Sequence, residues 1–401
     1  MPKDYSTSIA DIIRRFLSKR ALVYLVVISL TLTLFYLYTP SRIAETFDLY
    51  DAANVPVQPT RRELWNRCLD AAPLDKPVPY LSIVIVTRND DYAGAQYHRL
   101  QNFIDSTYLL AENTGENIEL LIIEWNPPAD KRRIMDAYRF RRSERIVYRI
   151  ITVPKEIHDV TPNIGNAPLH EFEGKNLGIR FARGEFVLCT NQDDIWSPMF
   201  HNAVKSHAFK KDTIYLQHQD VHWVHDDPLL PSIVRLPVFA TDEIIINSCM
   251  PSQLARHSSR SSEWGRLTLS GRTNVTTGNI LKVADQAGDF TLAHRLTWRV
   301  PRGYRETGGV AWVDIEFICT AAWTFGVPIL WVDDVLSCHQ DHPNIWRNYP
   351  EQHTDNKNIN MAKIENKEEK YVNEEGVWGM QRVDIWKMKL RCVEFKGGMT
   401  V

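Results

Sequence analysis

Four apolar runs rich in β-branched residues, separated by stretches of helical character, constrain the fold of this chain most strongly. The runs are LSIVIVTR (81–88), IELLIIEW (118–125), RIVYRIITV (145–153) and EFVLCT (185–190). Strands that are apolar on both faces are typical of parallel sheets covered by helices. The alternation predicts an α/β domain with a doubly wound, mostly parallel sheet, which binds ligands at the carboxyl ends of its strands. The intervening helices are expected near 94–111, 129–140 and 174–184.

The N-terminus adds a second constraint, because residues 21–38 are uncharged and apolar. As a helix rising about 1.5 Å per residue, this segment is roughly 27 Å long, which is sufficient to span a thin bilayer of the secretory pathway. Residues 1–20 are net basic, which predicts a cytosolic tail and translocation of the rest of the chain. A cleaved signal peptide is the alternative, but its apolar region is usually shorter. We expect a transmembrane signal anchor in a single-pass type II protein of the Golgi or ER membrane.

The composition of the remaining chain predicts its division into a stem, a folded domain and a C-terminal extension. Residues 39–78 contain several prolines without sustained periodicity and are expected to form a stem. Residues 79–345 would form the folded domain, and 346–401 an extension packing on or trailing it. The chain has 47 basic and 49 acidic residues, so no positive field exists to attract nucleic acid. Of the six cysteines, Cys189 and Cys319 lie in strand-like and helix-like runs and are expected to be buried thiols, while the pairing of the others stays open.

Polar side chains follow the fourth apolar run directly, in the segment TNQDD (190–194). Carboxylate and amide oxygens at the carboxyl end of a buried strand suit Mg²⁺ or Mn²⁺, and such an ion can bridge to phosphate oxygens. The structural alternative is that Asp193 and Asp194 cap a helix beginning near Ser197.

Taken together, LSIVIVTRND, the strand ending in EWNPP, and EFEGKNLGIRFARGEFVLCTNQDD resemble the GT-A fold glycosyltransferases of the family-2 type. Further segments resemble the acceptor side of those enzymes, so the resemblance covers roughly 80–345. They are GDFTLAHRLTWRVPRGYRE (288–306), VDIEFICTAAWTFG (313–326) and HQDH (339–342). The resemblance implies a GT-A domain that transfers a sugar, with inversion, from a nucleotide-sugar donor such as a UDP- or GDP-sugar to a glycan or glycoconjugate hydroxyl.

The resemblance also implies a metal site for Mn²⁺ or Mg²⁺ at the acidic loop. Asp193 would hold the ion, and His342 is favoured over His339 as a further ligand. Asn191 stands where the family motif usually has its first Asp. An amide oxygen still ligates a cation but brings no charge, so the site would hold the cation with one negative charge fewer than usual.

For the nucleotide sugar, the resemblance implies contacts from the ends of the first strands and from a helix start. The implied residues are Thr87, Arg88, Asn89, Glu124, Lys175, Asn176, Asp194 and Asp289. Glu124 would bind uracil or ribose, with a turn residue as the alternative. Lys175 would pair with phosphates, with a solvated lysine at a helix start as the alternative.

An acceptor hydroxyl needs a base, and Asp314 and Glu316 are the candidates. On a helix they lie about 200° apart, so only one is expected to face the cleft. Asp314 shares its face with the apolar stripe and is the predicted base. The alternative is a structural ion pair of Asp314 with Arg302 or Arg305. For the whole protein, the alternative is a catalytically inactive, membrane-tethered carbohydrate-binding or scaffold protein, motivated by Asn191.

Overall fold

The structure, a computed structural model, describes residues 27–30, 61–70, 79–162, 166–217, 233–238, 240–249, 290–308, 313–332, 336–343, 363–364 and 366–398. The chain divides into two compact units, Met1–Leu64 and Trp65–Val401. In the first unit, residues 27–30 are helical. They belong to the predicted anchor 21–38, whose other residues lie outside the described part. Among the described residues, no helix is long and apolar enough to cross a bilayer.

The strands, in chain order, are β1 (Leu81–Thr87), β2 (Ile118–Trp125), β3 (Ile146–Val153), β4 (Phe186–Thr190), β5 (Asp194–Trp196), β6 (Ile214–Gln217), β7 (Ile233–Val234), β8 (Phe290–His294), β9 (Ile329–Val332), β10 (Ser337–Gln340) and β11 (Arg391–Phe395). The helices are α1 (Arg61–Leu69), α2 (Gln96–Thr114), α3 (Ile134–Ala137), α4 (Lys155–His158), α5 (Glu171–Phe181), α6 (Pro198–Lys205), α7 (Asp242–Ser248), α8 (Arg295–Arg299) and α9 (Asp314–Trp323).

The second unit contains a mixed α/β fold with a mostly parallel central sheet. Its strand order is β11-β3-β2-β1-β4-β8-β6-β9. Neighbours are parallel from β3 through β4 and between β6 and β9, whereas β8 and β11 are antiparallel to their neighbours. A smaller sheet has the order β5-β10-β7 and begins where the acidic loop ends.

Both faces of the central sheet are buried, as the apolar runs predict. Ile85 of β1 packs in one cluster with Phe103 of α2. Val84, the preceding residue, packs in a second cluster with Leu177 of α5. A side chain at Gly178 would bring its Cβ within 2.3 Å of Val84 Cγ1, so this glycine permits α5 to lie directly on β1. The close approach brings the start of α5 to the carboxyl end of the sheet.

The predicted strands agree closely with the observed ones, since β1 to β4 begin and end within one residue of the apolar runs. The helix expected over 129–140 is shorter, being the single turn Ile134–Ala137. Tyr138 then returns to extended backbone, with φ −115° and ψ 152°.

Two disulfides join distant segments, Cys68 to Cys392 and Cys249 to Cys338. Cys189 and Cys319 are buried free thiols, which confirms the expectation drawn from their apolar surroundings. Cys338 lies in β10 and directly precedes His339, so the second bridge anchors the strand that carries a candidate site residue.

Candidate metal and nucleotide site

The carboxyl ends of β1, β2 and β4 lie along one edge of the central sheet. Thr87 of β1 stands opposite Glu124 of β2, and the acidic loop leaves β4 at the same edge. Gln96 Nε2 donates to the Thr87 hydroxyl at 3.2 Å and to Gln192 Oε1 at 2.8 Å. These bonds fasten the loop after β4 to the end of β1. Thr87 itself is fully buried, so its predicted contact with a nucleotide sugar has no open path.

A carboxylate and two imidazoles converge at this edge. Nitrogen or oxygen atoms of Asp193, His339 and His342 all lie within 4.8 Å of one another. His342 Nε2 is 3.2 Å from Asp193 Oδ2, and His339 Nδ1 is 3.4 Å from Asp193 Oδ1. The two histidines approach through their Nε2 atoms at 2.9 Å. The prediction that Asp193 and His342 come together is therefore consistent with the geometry, and His339 joins them.

Strand pairing brings His339 to the acidic loop. β10 runs antiparallel to β5, and His339 is the register partner of Asp194. The backbone N–H of Gln340 donates to the Asp193 carbonyl at 3.0 Å, and its side-chain Nε2 donates to the same oxygen at 3.1 Å. Asn102 Nδ2 in turn donates to Gln340 Oε1 at 2.9 Å. The backbone of Asp193 is thus held by a buried network.

Arg99 of α2 also lies beside Asp193, and the sequence contains no signal for this contact. Its Nε lies 3.3 Å from Asp193 Oδ2. Burial alone would raise the pKa of Asp193, but His339, His342 and Arg99 together hold it well below its usual range. Asp193 is therefore ionised at neutral pH, as a metal ligand must be.

Asp194 was predicted to bind the donor, but its contacts are with residues of the protein. It is fully buried, accepts a hydrogen bond from the Thr190 hydroxyl, and lies 3.5 Å from His339 Nδ1. The capping alternative is also wrong for both acids, because Ser197 caps α6 by accepting from the N–H of Phe200 at 3.2 Å. Asp194 instead begins β5 and links the loop to β10.

A pocket of about 340 Å³ lies at the carboxyl ends of β1, β2 and β3. Arg88 after β1, Asn126 after β2 and Pro154 after β3 line it. Arg88 Nη1 and Asn126 Nδ2 both donate to the Pro168 carbonyl, at 3.2 and 3.1 Å. Asn89 donates to the carbonyl of Arg132 at 2.9 Å. The predicted residues Arg88 and Asn89 are thus at the sheet edge where a nucleotide is expected.

Glu124 belongs to β2 and not to a turn, and it is buried beneath one wall of this pocket. Its Oε1 accepts from the N–H of Ile134, and its Oε2 accepts from the Thr152 hydroxyl, both at 2.7 Å. Residues 126–129 and 133, between Glu124 and Ile134 in the chain, line the pocket. The carboxylate therefore fixes the pocket wall.

Lys175 and Asn176 were expected at a helix start, but they lie in the second turn of α5, which begins at Glu171, and both are fully buried. Lys175 is not a solvated lysine, since its Nζ pairs with Glu171 at 2.5 Å. Asn176 uses its whole amide on the protein. Its Oδ1 accepts from the N–H of Tyr304 at 2.8 Å, and its Nδ2 donates to the Tyr304 carbonyl and to Glu306. Asn176 clamps the segment before α9, so no donor atom is left for a phosphate.

The two candidate bases lie in the first turn of α9 and are both buried. Glu316 forms a two-pronged ion pair with the guanidinium of Arg305. Arg302 lies 3.6 Å from Glu375. Of the two arginines considered as partners of Asp314, Arg305 is thus paired with Glu316. Asp289 lies outside the described residues, and Asn191 is half-buried at the start of the acidic loop.

The site residues fit a divalent transition-metal ion. One ionised carboxylate and two imidazoles form a mixed oxygen and nitrogen donor set, in which the carboxylate suits Mn²⁺ or Mg²⁺ and the imidazoles suit transition-metal ions. The ligands come from a loop and a strand end that are tied together by backbone bonds, as a fixed coordination geometry requires.

No protein-family model and no curated protein matches the chain. Several solved structures are similar to it, among them a galactosyltransferase and a glucosyl-3-phosphoglycerate synthase. The catalytic domain of Drosophila β1,4-galactosyltransferase 7 with xylobiose is 10% identical, covers 72% of this chain and 80% of its own, and has a TM-score of 0.34. Glucosyl-3-phosphoglycerate synthase from Mycobacterium tuberculosis with Mg²⁺ and UDP is 13% identical. The match covers 66% of this chain and 73% of that protein, with a TM-score of 0.34. At such low similarity, we base the functional assignment on the site residues themselves.

Proposed function

We propose that the protein is a glycosyltransferase that moves a sugar from a nucleoside-diphosphate sugar to an acceptor hydroxyl, with inversion. The observation that carries the proposal is the convergence of Asp193, His339 and His342 at the carboxyl edge of a parallel sheet. The pocket at the ends of β1 to β3 is on the same edge and is large enough to take part of a nucleotide. The resemblance of the sequence to family-2 GT-A enzymes supports the same reaction.

In this reaction, Asp193, His339 and His342 would hold Mn²⁺ against the donor diphosphate. When bound, the ion supplies positive charge that stabilises the departing diphosphate, a contribution of several kcal/mol. Arg88 and Asn126 would line the nucleoside end of the cleft. This division places the base and ribose at β1 to β3 and the diphosphate toward the loop after β4.

Asp314 would act as the base on the acceptor side. Its carboxylate takes the proton of the acceptor hydroxyl while that oxygen bonds to the anomeric carbon and the bond to the diphosphate breaks. Because Glu316 is held by Arg305, Asp314 is the acid of this helix turn that we assign to catalysis. We also propose a type II orientation with the domain in the Golgi or ER lumen, on the basis of the apolar segment 21–38 and its basic flank.

The test is a thermal-shift screen of the full chain in detergent with UDP-, GDP- and CMP-sugars, with and without Mn²⁺. Binding raises the apparent stability by mass action, so one nucleotide class should raise the Tm in the presence of Mn²⁺. That donor is then supplied with glycan acceptors to measure transfer and free nucleoside diphosphate. The absence of any shift and any turnover across the panel would contradict the proposal.

The inactive carbohydrate-binding protein is the second candidate, favoured by Asn191 and by the ion pair of Asp193 with Arg99. Calorimetry separates the two. Nucleotide binding that disappears in Asp193→Ala supports the enzyme, whereas glycan binding that is indifferent to nucleotide supports the binding protein.

A further inference from the structure

Arg99 brings a fixed positive charge to the candidate metal site. Its Nε lies 3.3 Å from Asp193 Oδ2, the same oxygen that His342 Nε2 approaches at 3.2 Å. Arg99 is 6% exposed and Asp193 2% exposed, so water screens the pair poorly. The guanidinium therefore already neutralises the one carboxylate among the three candidate ligands.

The position of the guanidinium is fixed by the loop after β1. Arg99 Nη2 donates to the Tyr92 carbonyl at 2.6 Å, and Nη1 donates to the Gly94 carbonyl. This loop has left-handed backbone at Asp91 and Ala93, with φ of 62° and 58°. Left-handed backbone is uncommon for a residue such as Ala93, so contacts around the loop must stabilise it. Arg99 thus holds the loop, and the loop holds Arg99 against Asp193.

We infer that Arg99 is a built-in counter-ion that makes metal binding at Asp193 depend on the negative charge of the donor diphosphate. The inference rests on the proposed function and adds an order of events to it. A divalent ion arriving alone meets a carboxylate whose charge Arg99 has cancelled, and it is repelled by the guanidinium. A diphosphate brings enough negative charge to satisfy both cations, so the ion and the nucleotide bind together. Asn191 strengthens this dependence because it contributes no charge of its own.

The expected size follows from Coulomb's law. A single and a double charge about 5 Å apart in a water-like dielectric repel each other by an energy equivalent to about a tenfold change in affinity, and by more in a buried site. Removal of the Arg99 charge should therefore tighten the binding of Mn²⁺ alone by about tenfold or more. In the native protein, saturating UDP should tighten Mn²⁺ binding by a similar factor, and linkage requires Mn²⁺ to tighten UDP binding equally.

The experiment measures Mn²⁺ binding to the full chain by the EPR signal of the free ion, with and without UDP. Arg99→Gln and Arg99→Met remove the charge, and Arg99→Lys keeps it and is the matched control. The expected result is that both neutral variants bind Mn²⁺ alone about tenfold more tightly than the native protein, and that UDP then adds little. Arg99→Lys should remain close to the native protein in both measurements. Far-UV circular dichroism checks that each variant is folded.

The inference is overturned if a folded neutral variant binds Mn²⁺ alone no more tightly than the native protein. If both neutral variants unfold, the Mn²⁺ affinity of the native protein is compared with and without UDP. Mn²⁺ binding that is equally tight without UDP overturns the inference. Failure of the proposed function looks different. In that case UDP binds to none of the proteins, while the neutral variants still differ from the native protein in Mn²⁺ alone.

Discussion

His339 lies directly opposite Asp194 in the antiparallel pair of β5 and β10, with its Nδ1 3.5 Å from the Asp194 carboxylate. This pairing joins the loop after a central strand to a strand more than 140 residues further along the chain. Ladder hydrogen bonds fix the register of the two strands. The distance between the imidazole and the neighbouring Asp193 is therefore set by the backbone, which gives the candidate metal site a rigid base.

Asp193→Asn is expected to abolish Mn²⁺ binding in the presence of UDP and to lower transferase activity by about 10²- to 10³-fold, because the charged ligand is lost. Asp341→Asn is the matched control. Asp341 belongs to the same HQDH segment but pairs with Arg235 on the surface, at 2.6 Å, so its removal should leave Mn²⁺ affinity unchanged. Calorimetry and a turnover assay measure both effects. Equal loss in the two variants would argue against Asp193 as a ligand.

Removal of the Cys249–Cys338 bridge by alanine at both positions should lower the free energy of unfolding by about 2–4 kcal/mol. It should also weaken Mn²⁺ binding, because Cys338 directly precedes His339. The double alanine variant at Cys68 and Cys392 is the control, since that bridge anchors β11 at the far edge of the sheet. The control should lose stability while its Mn²⁺ affinity stays within about twofold of native. Equal weakening of Mn²⁺ binding in both variants would contradict a local role for the first bridge.

The buried carboxyl group of Glu173 is expected to make the protein less stable as the pH rises from 4.5 to about 8. Burial raises the pKa of this acid from 4.5 to about 8, and its Oε1 accepts from the N–H of Gly308 at 2.5 Å. The folded protein therefore keeps a proton that the unfolded chain releases. The stabilisation is complete below pH 4.5 and is lost as the pH rises through about 8.

The slope expected from Glu173 is about 1.4 kcal/mol of unfolding free energy per pH unit between about pH 5 and 8. Glu173→Gln keeps the carbonyl acceptor and should remove this slope. Glu306→Gln is the comparison, because burial raises the pKa of Glu306 only to about 7, so its part of the slope ends earlier. Urea unfolding at several pH values measures the effect. An unchanged slope in Glu173→Gln would show that this acid ionises normally.

Asp314→Asn should lower kcat by about 10²- to 10⁴-fold while nucleotide affinity stays close to native, as expected for a general base. Glu316→Gln should behave in the opposite way. It leaves the guanidinium of Arg305 without its closest carboxylate. That guanidinium is one-third exposed and also lies 3.8 Å from Glu369, so the variant should lose about 1–2 kcal/mol of stability. Single-turnover kinetics and thermal unfolding of both variants test the assignment. A large loss of kcat in a stable Glu316→Gln variant, with Asp314→Asn active, would reverse the roles.

The local pattern of apolar residues was sufficient to predict the central strands. Residues 81–88, 118–125, 145–153 and 185–190 are apolar on both faces, and each became a buried strand of the sheet. The place of the acidic loop followed as well, because parallel strands present their carboxyl ends at one edge. Burial of Cys189 and Cys319 followed from the same apolar runs. These features depend on hydrophobic periodicity, which can be seen in residues that are close together in the sequence.

The tertiary structure alone decided which polar side chains share a site. Arg99 is one residue of a long helix, and only the packing of α2 beside the acidic loop brings it to Asp193. Asn176 has the spacing of a ligand-binding motif, yet its side-chain amide forms hydrogen bonds with the backbone N–H and carbonyl of Tyr304. Such pairings depend on strand order and on contacts between segments that are distant in the sequence. Local sequence patterns do not predict these contacts. The sequence by itself therefore determined the sheet and its functional edge, and the long-range packing determined which charges meet there.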